Sequence, residues 1–220
     1  MKNAVIIVAA GSGKRFGNKV PKQFLNLNEK PVFLWSVDVF ASIKSFKQII
    51  VVFPPNMVKP LSLKYKTKFV CATGGNERFD SVKNGLALVE DDVDYIAVHD
   101  AARPLISKKD ILLVLKEATK TKAAIAVERT KDTIKLVSIS GHILKTLDRT
   151  VLRNAQTPQI FEAKLLKKAY SKKISTNITD DSKLVENLKV NVSVVEMSSL
   201  NFKITTKQDF DLAAAIITNR

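Results

Sequence analysis

The run Ala4 to Ala9 is apolar without interruption and ends in glycines, the pattern of a strand buried on both faces that runs into a ligand-binding loop. Pro31 then opens a helix on which Phe33, Val37 and Phe40 recur at helical spacing; proline suits a first helical position, where its missing N–H is unpaired anyway. Gln48 to Phe53 predicts the next strand, stopped by Pro54-Pro55. The alternation continues with a strand near Lys68 to Ala72, a helix from about Arg78 to Glu90 with Val82, Leu86 and Val89 on one face, and a strand Tyr95 to Val98. Ser107, three residues before Asp110, has the spacing of an N-cap ahead of the apolar run Ile111 to Leu115, and Ala123 to Val127 reads as another strand. Strands alternating with helices imply parallel βαβ units, hence an α/β three-layer sandwich with a mostly parallel sheet and helices on both faces.

The pattern breaks after Thr133. Ile134 to Ile139 and Ile143 to Leu147 are β-prone segments separated by Ser140-Gly141-His142, which predicts a hairpin with no helix to cover it. An uncovered hairpin needs another surface, so a protruding, dimerising arm at about residues 133–150 is expected, with an edge hairpin of the same domain as the alternative. Beyond it come a helix Ala163 to Tyr170, a strand Val190 to Val195, a short strand around Phe202 to Ile204 and a last helix near Gln208 to Thr218. No internal repeat or low-complexity linker divides the chain, and its 220 residues fit one domain spanning 1–220.

Composition narrows the picture only a little. At 45% hydrophobic and 26% charged residues the chain is an ordinary globular one, with no signature of disorder. No apolar run approaches the roughly 18 to 20 residues that span a bilayer, and the start of the chain leads at once into a strand, so an untargeted, cytoplasmic protein is expected. The single cysteine, Cys71, has no disulfide partner and reads as a buried strand residue. The formal charge of +15 fits nucleic acid, an anionic membrane surface or small phosphorylated ligands. Only seven of the 36 basic residues are arginine, and no arginine-rich arm, aromatic-interleaved basic stretch or zinc-finger spacing appears, which argues against nucleic acid.

The first loop, Ala9-Ala10-Gly11-Ser12-Gly13-Lys14-Arg15-Phe16-Gly17, follows a strand, so its backbone N–H groups can approach phosphates. A dinucleotide fingerprint would need Gly where Phe16 stands, and a P-loop would need Gly-Lys-Ser/Thr, which is absent. Pro21-Lys22-Gln23 follows, placing Arg15 and Lys22 as two cations after one glycine-rich turn. No Ser/His/Asp or Cys/His constellation is present, and no His/Cys set suggests zinc.

The loop and Pro-Lys resemble the signature of sugar-phosphate nucleotidyltransferases. Six further blocks are similar, in order, to the methylerythritol phosphate cytidylyltransferase family: Gly74-Gly75-Asn76-Glu77-Arg78-Phe79-Asp80-Ser81-Val82, His99-Asp100-Ala101-Ala102-Arg103-Pro104, Lys131-Asp132-Thr133, Asp148-Arg149, Ala155-Gln156-Thr157-Pro158-Gln159 and Thr179-Asp180. The resemblance implies a Rossmann-like nucleotidyltransferase fold and transfer of CMP from CTP to a polyol phosphate. The attacking phosphate oxygen is already ionised, so what such chemistry requires is orientation and positive charge around the α-phosphate rather than a general base.

By the same resemblance, Arg15 and Lys22 stabilise the pentacoordinate transition state, while the amides of Gly11, Ser12 and Gly13 hold the triphosphate. Ala9, Ala10, Gly74, Gly75 and Ser81 read the cytosine; Asn76 stands where some members carry an acidic residue. Asp100 and Arg103 hold the polyol, with His99 structural, and Thr157, Thr179 and Lys203 receive the second substrate's phosphate together with Thr133 and Arg149 of a neighbouring subunit. A homodimer with shared active sites follows. Pro158 is expected to fix a loop that presents Thr157. The roughly fourfold charge of a triphosphate calls for Mg²⁺, held largely by phosphate oxygens. Ribitol 5-phosphate is the competing acceptor, disfavoured by Ala101-Ala102-Arg103 and Asp148-Arg149; a nucleotide-binding module without turnover is a third reading, opposed by intact Arg15 and Lys22.

Overall fold

The computed structural model describes residues 1–11, 16, 20–65, 68–172 and 178–219. Its centre is a seven-stranded sheet in the order β11-β7-β10-β6-β1-β4-β5, where β1 is Asn3–Val8, β4 Phe46–Phe53, β5 Val70–Thr73, β6 Tyr95–Asp100, β7 Ala123–Arg129, β10 Arg153–Glu162 and β11 Ser193–Glu196. Six of these strands point the same way; β10 alone is antiparallel, to both β6 and β7. The mostly parallel three-layer architecture read from the periodicity is therefore the one observed.

The unbroken apolar runs reflect burial on both faces. Val5 and Ile7 of β1, Val51 and Phe53 of β4 and Ala97 of β6 pack on one side with Phe33, Val37 and Phe40 of α1 (Val32–Ala41) and Ile111, Val114 and Leu115 of α4 (Lys108–Thr121). Their alternates Ala4, Ile6, Ile50, Val52, Ile96 and Val98 pack on the other, against Val82 and Leu86 of α3 (Arg78–Leu86), Leu166 and Ala169 of α5 (Ala163–Ser171) and Leu184 and Val185 of α6 (Asp181–Glu186). A third cluster joins Ala213 and Ile217 of α7 (Lys207–Thr218) to Leu105, Ile204, Val32 and Leu27, the last in the small hairpin of β2 (Asn26–Leu27) and β3 (Lys30–Pro31). Ser107 caps α4 as expected, its Oγ accepting the Asp110 N–H at 3.1 Å.

Several elements differ from the sequence reading. Pro54-Pro55 does not merely end a strand: Pro55 opens α2 (Pro55–Lys64), which no sequence signal announced because Pro60 lies inside it. The Gln156-Thr157-Pro158 segment is not a loop but part of β10, where the register against β7 slips between Ala155 and Gln159 and the Thr157-Pro158 peptide is cis. Residues 202–204 form no strand, and α6 follows Asp180 where no helix was expected. Cys71 is only half-buried, because β5 is the sheet edge; burial pushes its thiol up from its ordinary value.

The expected hairpin forms from β8 (Lys135–Val137) and β9 (Ile143–Thr146), with Gly141 at φ +84° in its turn. Its two strands make their substantial contacts with each other and present Leu136, Val137, Ile139, Ile143 and Leu144 to solvent. No helix among the described residues is long and apolar enough to cross a membrane.

Candidate active site

The strand order reverses between β1 and β6, whose ladder runs through to Val8 and Asp100, and the carboxyl end of such a pair is the place where open α/β sheets take ligands. Two hollows meet at this point. The larger, about 460 Å³, is lined by the turn after β1 (Ala9, Ala10, Gly11), by Lys22 and Gln23, by the β5–α3 turn (Gly75, Asn76, Glu77) and by Ser81. The smaller, about 300 Å³, is lined by Arg103, by Ala155, Gln156, Thr157 and Gln159 of β10, and by Thr179 and Asp180. Arg78, Asp100 and Lys203 line both and form the wall between them.

In the larger hollow the backbone is set by close packing. The Ala9 N–H donates to Val52 O at 2.8 Å, and Gln23 Nε2 donates to the carbonyls of Ala9 and Gly11, each at 2.7 Å, so one side chain pins the start of the glycine-rich loop. A Cβ on Gly74 would stand 2.3 Å from the Ala10 Cβ, and one on Gly75 would stand 2.2 Å from the Asp80 Cβ. Both glycines are thus required by protein packing before any base is considered. The Ser81 hydroxyl accepts the Gly75 N–H at 3.2 Å and donates to Glu77 O at 3.1 Å, bracing that turn from within. Lys22, in the short 3-10 turn Lys22–Phe24, is only 8% exposed and faces the hollow.

Asp100 ends β6 with three cations around it: Lys203 Nζ at 2.7 Å, Arg78 Nε at 3.5 Å and Arg103 Nε at 3.9 Å. Burial alone would raise its carboxyl, but Arg78, Lys203 and Arg103 outweigh burial and hold it well below the usual carboxylate range. Lys203 is delivered by the segment before α7, where Ile204 is buried in the third cluster and donates its N–H to Ala102 O at 2.8 Å. Arg103 is buried, which lowers its guanidinium from its ordinary value, and its Nη1 donates to Asn201 O at 2.7 Å.

His99, fully buried beneath Asp100, has a determinate tautomer. Its Nε2 lies 3.2 Å from the Arg103 carbonyl, which can only accept, so Nε2 carries the proton. Burial, only partly offset by Asp100, lowers the ring to about 4 and keeps it neutral, leaving Nδ1 to accept the Thr157 hydroxyl proton at 3.1 Å. The Thr157 oxygen in turn accepts the Asp100 N–H at 3.0 Å. The Thr157 hydroxyl is therefore engaged inside the wall, fixing the Asp100 backbone, and His99 serves structure, in line with the sequence reading.

Thr179 lines the smaller hollow, while Thr133 and Arg149 are exposed on the arm and line neither; Arg149 Nη1 donates to Lys131 O at 2.6 Å. Ser12, Gly13 and Arg15 lie outside the described residues. Sequence reasoning missed Arg78, Gln23, Asp181 and Asn201. The first two sit inside motifs already quoted, and Asp181 follows Thr179-Asp180; Asn201, whose Nδ2 donates to Gln156 Oε1 and to Thr157 O, carried no local signal.

A glycine-shaped turn and cations at the switch point of an α/β sheet, beside a second hollow that shares their charged wall, define the chain as a nucleotidyltransferase. The sequence model of the family described as IspD, 2-C-methyl-D-erythritol 4-phosphate cytidylyltransferase, matches residues 3–219, and the chain belongs to this family. A protein of Endomicrobium trichonymphae with that name is 76% identical over 217 residues, covering 99% of each chain. One from Caldicellulosiruptor saccharolyticus is 40% identical, covering 99% of this chain and 98% of its own. Among solved structures, the cytidylyltransferase of Thermus thermophilus superposes with a TM-score of 0.84 at 30% identity, over 99% of this chain and all (100%) of the other. The 4-diphosphocytidyl-2C-methyl-D-erythritol synthase of Anaerococcus prevotii gives 0.85 at 29% identity, over 99% and 98%.

Proposed function

We propose that this chain joins CMP from CTP to 2-C-methyl-D-erythritol 4-phosphate, giving 4-diphosphocytidyl-2-C-methyl-D-erythritol and pyrophosphate, a step of non-mevalonate isoprenoid precursor synthesis. The observation that carries the reading is the pair of hollows sharing Arg78, Asp100 and Lys203, which lets a nucleotide and a polyol phosphate meet across one charged wall. A phosphate oxygen of the acceptor forms the new bond to the α-phosphorus, the α–β bridging bond breaks, and its electron pair leaves on pyrophosphate. No proton needs to move. Lys22 and Arg15 neutralise the charge that grows on the α-phosphate, Asp100 accepts hydrogen bonds from acceptor hydroxyls, and Lys203 with Thr179 receives the acceptor phosphate. Thr157 contributes by fixing Asp100 and Arg103 by shaping the floor.

Mg²⁺ supplies charge neutralisation of the triphosphate and its leaving pyrophosphate. The donor set suits an ion bound mainly by phosphate oxygens: no cluster of three or more His, Cys, Asp or Glu side chains that would cage a metal occurs among the described residues, and Asp100, the carboxylate common to both hollows, is already surrounded by cations. The active form is a homodimer in the cytoplasm, with Thr133 and Arg149 of each arm completing the partner's acceptor site; the apolar residues that the arm exposes support this assembly. Pyrophosphate release tests the function. Mg²⁺-dependent release with CTP and methylerythritol phosphate is expected; equal or faster turnover with ribitol 5-phosphate would reassign the acceptor, and CTP binding without release would reduce the chain to a nucleotide-binding module.

A further inference from the structure

Arg78, a cation of the cleft, is held from behind by a buried carboxylate. Its Nη2 donates to Oδ2 of Asp181 at 2.8 Å, and Asp181 is fully buried, its other oxygen accepting the Tyr170 hydroxyl. The Tyr170 ring stacks on Phe79 with centroids 4.8 Å apart and planes 8° from parallel. Asp181 is placed in turn by β10, whose Gln159 Oε1 accepts the Asp181 N–H at 3.0 Å. One guanidinium is thereby tied to α3, α5, α6 and β10, while its Nε faces Asp100 and its side chain remains 26% exposed to the cleft.

Lys203 contrasts with this. It makes the shortest of the three ion pairs to Asp100, but its side chain is 38% exposed and, among the described residues, it pairs with no second carboxylate in the way Arg78 pairs with Asp181. On the acceptor reading given above, on which this inference rests, a phosphate dianion enters beside Lys203 and draws the ammonium toward itself. Asp100 would then keep Arg78, and Arg103 at 3.9 Å with one arm occupied by Asn201 O. A buried carboxylate that loses its cation is strongly destabilised, so something must stay. We propose that Arg78, anchored on Asp181, is the positioning residue that keeps the Asp100 carboxylate aimed at the acceptor's hydroxyls while Lys203 engages the acceptor's phosphate.

The test is steady-state kinetics on the full chain, with CTP and 2-C-methyl-D-erythritol 4-phosphate varied separately, for the wild type, Arg78→Gln, Arg78→Lys and Asp181→Asn. Arg78→Gln is expected to raise the acceptor KM by about tenfold or more and the CTP KM by less than about threefold. Arg78→Lys restores part of the loss, and Asp181→Asn reproduces it in weaker form. The pH profile adds a readout that a packing role would not move. Asp100 is faced by Arg78 from α3, Lys203 from the segment before α7, Arg103 beyond β6, neutral His99, and the Thr157 hydroxyl oxygen at its own N–H. Removing Arg78 alone lets the carboxyl rise, so the acid-side fall of kcat/KM for the acceptor begins at higher pH than in the wild type; ionisation of the acceptor's own phosphate is common to both and cancels in their ratio. An equal rise in both KM values, an unchanged acceptor KM, or an unmoved acid limb overturns the proposal. If Arg78→Gln folds poorly, Arg78→Lys and Asp181→Asn decide by the same KM split and acid limb. Wild-type inactivity with both methylerythritol phosphate and ribitol 5-phosphate sinks the acceptor reading and the Arg78 role with it, whereas normal wild-type turnover with unsplit KM values sinks the Arg78 role alone.

Discussion

Lys22 is nearly enclosed at the wall of the larger hollow, and a charge in such a place matters most when the α-phosphate becomes more negative. Lys22→Ala should therefore lower kcat by about 10² to 10³ with a much smaller change in CTP affinity, as removal of one preorganised donor does in other enzymes. Stopped assays of pyrophosphate beside CTP titration measure both; a loss under about tenfold would remove Lys22 from the catalytic group. His99 gives a second prediction, on stability. Its folded value of about 4 lies below the unfolded value of 6.5, so the unfolded chain takes up a proton first as pH falls. The contribution is fully present above pH 6.5 and is lost progressively down to about pH 4, amounting to roughly 3 kcal/mol over that window. Urea unfolding between those limits should show this slope in the wild type and a shallower one in His99→Gln; identical slopes would mean that other groups govern acid stability.

Helix α4 shows how far local chemistry reaches. Its N-cap was readable because Ser107 and Asp110 have the required spacing, and the bond is present at 3.1 Å. Ser107→Ala should cost about 1 kcal/mol, measured as a lower urea midpoint, with turnover unchanged because the cap lies outside the cleft. By contrast α2 was illegible: Pro54-Pro55 reads as the stop of a strand, yet Pro55 occupies the first turn where no N–H is needed, and the helix persists past Pro60 with its half-buried Met57, Val58 and Leu61 against the core. Strand β10 hid for a related reason. A proline in a central strand argues against that assignment, and Pro158 is accommodated where the register slips and the ladder is interrupted.

For the whole molecule the arm raises a question of assembly, since Thr133 and Arg149 line neither hollow of their own chain while the arm's apolar residues face solvent. Mixing Lys22→Ala chains with Arg149→Ala chains tests whether sites are shared. Each parent should be nearly inactive, but a mixed dimer would contain one doubly damaged site and one native site. Random pairing makes about half of the dimers mixed, so activity should recover to about a quarter of wild type in a twofold-symmetric assembly. Activity that stays at parental levels after subunit exchange is verified by mass would place Arg149 in its own chain's site, or in none.

The alternation of apolar runs and amphipathic segments determined the layers by itself, because burial on both faces of β1, β4 and β6 writes a continuous hydrophobic signal that local sequence cannot disguise. The glycine-rich loop and the block Gly74 to Val82 were legible through a family resemblance, and packing gives the reason at two positions: close backbone approach demands glycine at Gly74 and Gly75. Tertiary structure alone decided the rest. Lys203 reaches Asp100 across 103 positions of chain, Arg78 meets Asp181 across the same separation, and Asn201 braces Thr157 from 44 positions away. Each of these contacts depends on which strand lies beside which, and on the antiparallel insertion of β10 between β6 and β7. A charged side chain announces its partner only when that partner is a helical turn or a strand neighbour away; across the sheet, folding brings them together, and the electrostatics of the cleft exist only after it has done so.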